Sequence, residues 1–380
     1  MKNIVRGEDD IRRGLIGNVG GKGRLATLLT YLKIVLLLFI LVFHFMQSDG
    51  AFLKEPEARF FGAVFPDTAQ EYVREILTQI ETSIDAKGDR LIVRDCGTDV
   101  ELQSQEIMEL ADSGIETLFV FPVCENGLED ALKDCAGRGI RIVLVGNSCR
   151  GDNYGWAVVT SQNDTAGETL GRYVSVETQN ARILLLGRAE NAACRTQIEG
   201  FREGLLSGST EKNPPEIVRE ILLPDAGQEA AAAEQADVDP EAADDSYLDA
   251  GREMFRTGIG LQDRSREMAM DLVRRQLHRG RDFDLIFATD GSLAAGAYAA
   301  LEEAGEADSV RIVAVDGSPV GRRMLRESKY LATIMEYPSL IAGEAVEQAY
   351  SSKAGGHSIR VQVKLLTKNI IYSYDMDKWE

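Results

Sequence analysis

The sequence predicts an α/β protein with two parallel-sheet lobes behind an N-terminal membrane helix. The chain has 380 residues, which exceeds the usual size of one domain and suits two lobes with extensions. From Arg59 onward, short apolar runs alternate with amphipathic stretches, a rhythm that is typical of parallel strands connected by helices. Ahead of this region lies the most apolar run of the chain, Ile34–Met46.

The N-terminal segment has the charge pattern of a membrane anchor or an export signal. Residues 1–33 carry seven basic and three acidic side chains, a net charge of +4, and the rest carries −23, which gives the total of −19. This asymmetry predicts that residues 1–33 are cytoplasmic, that 34–50 form the membrane segment, and that the chain beyond linker 51–58 is extracytoplasmic. We expect an uncleaved anchor, because the basic region is long for a signal and no lipid-accepting cysteine follows. Cleavage before Ala51 is the alternative, since Ile34–Met46 alone would be only about 20 Å long as a helix.

Eight strands are predicted, each followed by room for one helix. They are Phe60–Phe65, Asp89–Arg94, Thr117–Phe121, Arg141–Val145, Ala181–Leu186, Ile217–Leu222, Leu285–Thr289 and Arg311–Val315. Between the first two, Glu71–Ile84 repeats aliphatic residues at helical spacing, which predicts a helix packed on the sheet. Its apolar face consists of Val73, Ile76, Leu77, Ile80 and Ile84. Ser104–Ser113 and Gly127–Ala136 show the same spacing and end near glycines.

Residues 225–256 interrupt this rhythm. The segment is rich in alanine and acidic residues and almost devoid of large apolar side chains, so it cannot bury enough surface to offset the entropy of ordering. We therefore predict an exposed acidic insertion. A calcium-binding loop is disfavoured, because the ligand spacing that such a loop requires is absent.

Composition and motifs argue against nucleic-acid binding and against catalysis. A net charge of −19 without a basic stripe does not suit a nucleic-acid partner. The glycine-rich stretch Gly17–Gly23 lacks the leading glycine, the serine or threonine, and the preceding strand of a phosphate-binding loop. The chain has three histidines, no GxGxxG after the first strand and no GxSxG motif, so we predict no enzyme, no cofactor and no metal. The five cysteines lack CxxC spacing and are expected to be buried thiols, with one disulfide among Cys96, Cys124 and Cys149 as the alternative.

Several stretches, taken in order and at their spacing, carry a resemblance to a known family. They are Gly114–Val123, Gly139–Val145, Ser161–Gly167, Glu199–Phe201, Phe287–Asp290 with Ala294–Ala297, Val315–Pro319, and Leu331–Ile334 with Pro338. Over about residues 59–370 the chain resembles the sugar-type periplasmic-binding proteins, such as those for ribose and galactose. The resemblance implies two doubly wound parallel-sheet lobes joined by a hinge, with crossings near Thr160, Glu336 and Lys364. The implied lobes are residues 59–159 plus 337–363 and residues 160–336 plus 364–380.

The resemblance also implies a pocket at the carboxyl ends of the strands. Asp316 matches the family's hydroxyl-accepting aspartate, and Tyr72 matches one of its two stacking aromatic residues. Positions of the family's pocket arginines hold Asn147 and Gln197, so bidentate contacts to ring hydroxyls are missing, and Arg195 stands two residues before Gln197. The complete predicted site is Asp67, Glu71, Tyr72, Asn147, Arg195, Gln197, Thr289, Asp290, Asp316 and Glu336. Of these, Asp290 is expected to cap a helix rather than contact the ligand.

The expected function is capture of a small polar, sugar-like ligand for a membrane ABC importer. A modified sugar, or a cationic or amide-bearing ligand, competes with a plain sugar because the predicted lining is acidic. The alternative function is a membrane-tethered sensor that signals to a partner such as a histidine kinase, which the missing lipid-anchor cysteine favours. A transcription regulator, the other use of this fold, would need a helix-turn-helix where this chain has its membrane segment.

Overall fold

Helix α1 (Gly21–Gln47) precedes the lobes in sequence and belongs to a separate unit of the chain. The computed structural model describes residues 21–47, 58–66, 68, 70–150, 157–189, 191–208, 214–223, 261–351 and 356–379. The predicted acidic insertion, most of the linker and the first 20 residues lie outside this set. Within α1, Thr27–His44 is long and apolar enough to span a membrane, and a signal sequence would have the same properties. The helix begins upstream of Ile34, so its 27 residues extend about 40 Å, well beyond the length of the apolar run alone.

The first lobe is built on a sheet of parallel strands. They are β1 (Phe60–Phe65), β2 (Arg90–Asp95), β3 (Thr117–Val120), β4 (Arg141–Val145), β5 (Ala157–Ser161) and β11 (His357–Val361). Their spatial order is β11-β5-β4-β3-β1-β2. The helices of this lobe are α2 (Glu71–Asp85), α3 (Val100–Asp112), α4 (Glu129–Gly137) and α10 (Pro338–Tyr350). Because helices cover both faces of the sheet, the central strands β1, β3 and β4 are almost continuously buried.

The second lobe repeats this architecture. Its strands are β6 (Arg182–Arg188), β7 (Glu216–Leu223), β8 (Leu285–Ala288), β9 (Arg311–Ala314), β10 (Tyr330–Met335) and β12 (Lys364–Thr367). Their order is β12-β10-β9-β8-β6-β7, and β12 runs antiparallel to β10 while the other pairs are parallel. The helices are α5 (Asn163–Glu177), α6 (Ala192–Gly208), α7 (Leu261–Gly280), α8 (Gly291–Glu303) and α9 (Pro319–Arg326). The predicted fold of two parallel-sheet lobes is confirmed.

The chain passes between the two sheets three times, each time through a short connection. These connections follow β5, β10 and β11, and each reaches the next element within three residues. Two of them lie side by side, since the backbone N–H of Gln162 donates to the carbonyl of Val361 at 2.8 Å. Short parallel connections of this kind let two lobes rotate about a common axis. The exact lobe boundaries stay a prediction.

Helices α5 and α6 pack with their backbones in contact. A Cβ atom on Gly171 would lie 2.2 Å from the carbonyl oxygen of Phe201, and one on Gly204 would lie 2.1 Å from that of Glu168. No larger side chain fits at either position without separating the helices. The pair therefore forms one block of the second lobe that carries residues of both helices to the cleft.

Local structure follows the sequence pattern where burial is strong. The buried residues of α2 are the five aliphatic residues predicted from its spacing, so that helix is confirmed. The eight predicted strands are present, with ends that differ by at most two residues. Strands β5, β10, β11 and β12 were not among the eight. All five cysteines are buried thiols, as expected.

Candidate ligand-binding site

A cavity of about 480 Å³ lies between the lobes, at the carboxyl ends of the parallel strands. The first lobe contributes residues that follow β1, β3 and β4, and the second lobe contributes residues that follow β6, β8 and β9. Parallel strands end at the same edge of their sheet, which is why these separate segments converge. The volume suits a ligand of the size of a monosaccharide.

Asp316 is a buried carboxylate of this cavity and lies two residues after the end of β9. Its backbone N–H donates to the Thr333 hydroxyl at 3.1 Å, and its Oδ1 accepts from the backbone N–H of Ser318 at 3.2 Å. Two glycines leave room for the carboxyl group, because a Cβ atom on Gly291 or Gly321 would lie within 2.6 Å of it. Burial raises the pKa of Asp316 from 3.8 to about 6, hydrogen bonds from Ser318 oppose this rise, and nearby acidic groups add to it.

Asp290 caps a helix and also holds an arginine. Its Oδ1 accepts from the backbone N–H of Leu293 at the start of α8, at 3.0 Å, as expected. Its Oδ2 pairs with Nε of Arg188 at 3.0 Å, and Arg188 also donates to the Ser265 hydroxyl at 3.1 Å. Arg188 lines the cavity, but Asp290 balances its charge.

Gln197 and Thr289 line the cavity, and each has a buried polar atom that lacks a partner among the described residues. Gln197 is 4% exposed, and its Nε2 donates to Oδ1 of Asn163 at 3.0 Å. The Gln197 Oε1 and the Thr289 Oγ1 are buried without a hydrogen-bond partner. A buried polar atom without a partner is costly, so both atoms favour a polar molecule in the cavity.

Glu336 lies in the connection that follows β10, and its side chain is next to that of Tyr72 at the start of α2. Burial raises the pKa of Glu336, the charge of Asp316 adds to this rise, and the nearby hydroxyls of Ser161 and Tyr72 oppose it. Burial also raises the pKa of the Tyr72 hydroxyl, and the charge of Glu336 adds to that effect. Both pKa shifts favour the protonated form of the group. The Tyr72 ring meets Phe121 edge-on, with ring centroids 6.5 Å apart.

Asn147 lines the cavity but uses its amide group locally. Its Nδ2 donates to the carbonyl of Pro122 at 3.3 Å, and its Oδ1 accepts from the backbone N–H of Ser148 at 3.0 Å. The preceding Gly146 has a φ of 75°, which favours glycine, and a Cβ atom there would lie 2.3 Å from the Phe121 ring. Asn147 therefore forms part of the cavity wall, while its amide group is used in local hydrogen bonds.

Arg195 was predicted for the site, but it does not line the cavity. Its guanidinium pairs with Glu125 at 2.6 Å, and Glu125 follows β3 in the other lobe. Arg195 lies two positions before Gln197 on α6, and residues two apart on a helix do not share a face. It joins the lobes instead of facing the cavity. Of the other predicted residues, Asp67 lies outside the described residues, and Glu71 lines the cavity.

A sequence profile described as periplasmic binding protein domain matches residues 61–356. The chain belongs to the periplasmic binding protein family. The ribose import binding protein RbsB of Salmonella typhimurium is 23% identical over 268 residues, which cover 70% of this chain and 75% of that protein. RbsB of Bacillus subtilis is 20% identical over 292 residues, which cover 76% of this chain and 81% of that protein.

Solved structures of periplasmic binding proteins share this fold. The myo-inositol binding protein of Caulobacter, bound to myo-inositol, has a TM-score of 0.67 at 18% identity and covers 85% of this chain and 98% of its own. The arabinose-transporter binding protein of Shewanella sp. ANA-3, bound to L-arabinofuranose, has a TM-score of 0.63 at 16% identity. The match covers 83% of this chain and 93% of that protein. These relatives are solute-binding proteins and not enzymes, which confirms that prediction for the family. Among the described residues, no group of three His, Cys, Asp or Glu side chains is placed to hold a metal ion.

The cavity lining of this periplasmic binding protein includes residues that were not predicted from the sequence, among them Arg188 and Trp379. Arg188 ends β6, and the rule that pocket residues follow strand ends would have found it. Trp379 lies more than 300 residues from Tyr72 in sequence, yet their ring centroids are 5.6 Å apart. No local pattern signals that contact, because the chain ending folds back onto the second lobe.

Proposed function

We propose that this protein captures a small polar, sugar-like ligand between its lobes and delivers it to a membrane ABC importer. The observation that carries the proposal is the set of buried polar groups on the cavity wall: the Asp316 carboxylate, Gln197 Oε1 and Thr289 Oγ1. A sugar hydroxyl both donates and accepts a hydrogen bond, so a polyhydroxylated ligand would satisfy all three. Its relatives bind ribose, myo-inositol and L-arabinofuranose, which supports the same class of ligand here.

The ring faces of the cavity support a sugar for a second reason. Tyr72 and Trp379 provide an apolar wall, and a sugar ring has one face of C–H groups that packs on aromatic rings. The acidic groups Glu71, Asp316 and Glu336 would equally suit an amine on the ligand. An amino sugar or another cationic solute is therefore the competing ligand, and the test below includes it.

A thermal-shift screen tests the proposal. Sugars, polyols, amino acids and polyamines are added to the full chain in mild detergent, and one class should raise the Tm by about 5 °C at 100-fold excess over Kd. Asp316→Ala should abolish that rise, whereas Asp308→Ala, an exposed acidic residue of the same lobe, should retain it. A panel in which no compound raises the Tm of the wild type would contradict the proposal.

We further propose that the lobes are extracytoplasmic and that α1 is retained as a membrane anchor, with cleavage after export as the alternative. The charge asymmetry across α1 supports this orientation. The proposed lobe boundaries are residues 59–159 with 337–363 and residues 160–336 with 364–380, since the three connections lie at those joints.

A sensor that signals to a membrane partner such as a histidine kinase is the second candidate function. The observation in its favour is α1 itself, a span-length helix with no lipid-accepting cysteine after it. Uptake of the radiolabelled ligand separates the two. Deleting an importer's receptor should abolish uptake, whereas deleting a sensor should leave basal uptake and remove only the induced response.

A further inference from the structure

Residues 371–379, the terminal segment, are docked on the second lobe. Ile371 is fully buried in the core of that lobe, and Tyr374 and Met376 pack against the same core. Two arginines of α9 hold the backbone: Nη1 of Arg322 donates to the carbonyl of Trp379 at 2.9 Å, and Nη1 of Arg323 donates to that of Met376 at 3.2 Å. Arg322 is completely buried, so this anchor forms away from solvent.

The anchor sets the side chain of Trp379 into the wall of the cavity. Trp379 is 8% exposed, and its ring contacts the ring of Tyr72 on the first lobe. The indole Nε1 is buried and has no hydrogen-bond partner among the described residues. Indole is a donor only, and a buried tryptophan N–H usually has an acceptor.

We propose that Trp379 is a ligand-contacting residue, with its ring extending the Tyr72 wall and its indole N–H donating to an oxygen of the ligand. This inference rests on the proposed binding function and adds a residue from the terminal segment to the site. Because the backbone of Trp379 is fixed on the second lobe while its ring touches the first, it contacts the ligand from a position that spans the cleft.

The acidic groups that line the same cavity include Glu71, Asp316 and Glu336. A neutral oxygen on a ligand removes the cost of the buried N–H without adding another charge to an already acidic site. A hydroxyl or ether oxygen of a sugar has this chemistry.

Fluorescence of a single-tryptophan protein tests the contact directly. The chain has two tryptophans, Trp156 and Trp379, so Trp156→Phe leaves Trp379 as the reporter. The panel includes D-ribose, myo-inositol, L-arabinose and glucosamine. When the compound that raises the wild-type Tm is added, we expect a saturable change in the emission of Trp379. The midpoint should equal the Kd from calorimetry.

Two substitutions separate the indole N–H from the ring. Trp379→Phe keeps an aromatic wall and removes the donor, and we expect about three- to tenfold weaker binding. Trp379→Ala removes both, and we expect at least about tenfold weaker binding than Trp379→Phe. Tyr372→Ala is the matched control, because Tyr372 is an aromatic residue of the same segment that is 68% exposed. The Tm of each ligand-free variant shows that the fold is intact.

The outcomes distinguish this inference from the proposed function. If no compound raises the Tm of the wild type, the binding function fails and the inference fails with it. If a compound binds the wild type, Trp379→Phe and Trp379→Ala equally and leaves the emission unchanged, Trp379 lies outside the site and only the inference is overturned. Tighter binding to Trp379→Ala would also overturn it, because Trp379 would then occlude the cavity.

Discussion

Replacing Asp316 by asparagine should make the ligand-free protein more stable at neutral pH while removing its ligand. The carboxylate is 7% exposed and lies among other acidic groups, so its charged form is unfavourable in the folded state. Asparagine retains an oxygen that accepts from the backbone N–H of Ser318 and has nearly the same volume. The substitution therefore removes a buried charge without creating a cavity.

The magnitude follows from the pKa of Asp316, which rises from 3.8 to about 6 on folding. A rise of about two in pKa corresponds to roughly 3 kcal/mol between the two protonation states. The folded state binds the proton more tightly than the unfolded state, so the free energy of unfolding is highest below pH 4 and falls as pH rises through about 6. The destabilisation is complete above that value. We expect Asp316→Asn to gain up to about 3 kcal/mol at pH 7.5 and little at pH 4.

Urea unfolding of both ligand-free proteins at pH 4 and pH 7.5 measures this difference. Other titrating groups are shared by the two proteins and cancel, and Asp308→Asn, an exposed control in the same lobe, should show no pH-dependent gain. A variant less stable than the wild type at pH 7.5, or a gain equal at both pH values, would refute the reasoning. In the thermal-shift screen, the ligand should no longer raise the Tm of Asp316→Asn.

Three further results are expected. Gly204→Ala should cost at least about 2 kcal/mol in urea unfolding, because its Cβ atom would lie 2.1 Å from a backbone oxygen. Glu125→Gln should weaken ligand binding about two- to fivefold in calorimetry and reduce its dependence on salt, since the pair with Arg195 joins the lobes at 2.6 Å. Membranes washed with carbonate should retain the protein if α1 is an anchor and release it if α1 is cleaved.

The two substitutions have matched controls. Gly343→Ala, in α10 with open space around it, should be neutral or stabilising by up to about 1 kcal/mol. Asp112→Asn breaks an ion pair with Arg138 inside the first lobe and should leave ligand affinity unchanged. An equal loss of stability in both glycine variants would contradict the close packing of α5 on α6. An equal loss of ligand affinity in both ion-pair variants would contradict the role of Glu125 in joining the lobes.

The fold was predictable where a buried face makes apolar residues recur at regular spacing along the sequence. The face of α2 and the buried strands β1, β3 and β4 are read directly from their aliphatic residues. Strands β11 and β12 are short, and most residues of β11 are exposed, so their pairing depends on partners far away in sequence. Such strands cannot be recognised from the local sequence, because they form only by pairing with a strand that the tertiary fold brings next to them.

The site was predictable to the extent that strand ends converge. Thr289 and Asp316 follow neighbouring strands, and the shared edge of the sheet brings them to one cavity. Helical residues are harder, because a shift of two positions on α6 separates Gln197, which lines the cavity, from Arg195, which pairs with the other lobe. Trp379 was beyond any local argument, since its position depends on the docking of the terminal segment.

The late position of β11 and α10 in the chain determines the order in which the lobes can be completed. The first lobe needs α10 for its core and β11 to cover the edge of β5, and both are synthesised after β10 of the second lobe. Roughly 200 residues separate β5 from β11, so the edge strand that covers β5 is supplied late in the chain. Until it is supplied, the edge of β5 is unpaired and open to other strands. We therefore expect the lobe that begins first to finish folding last.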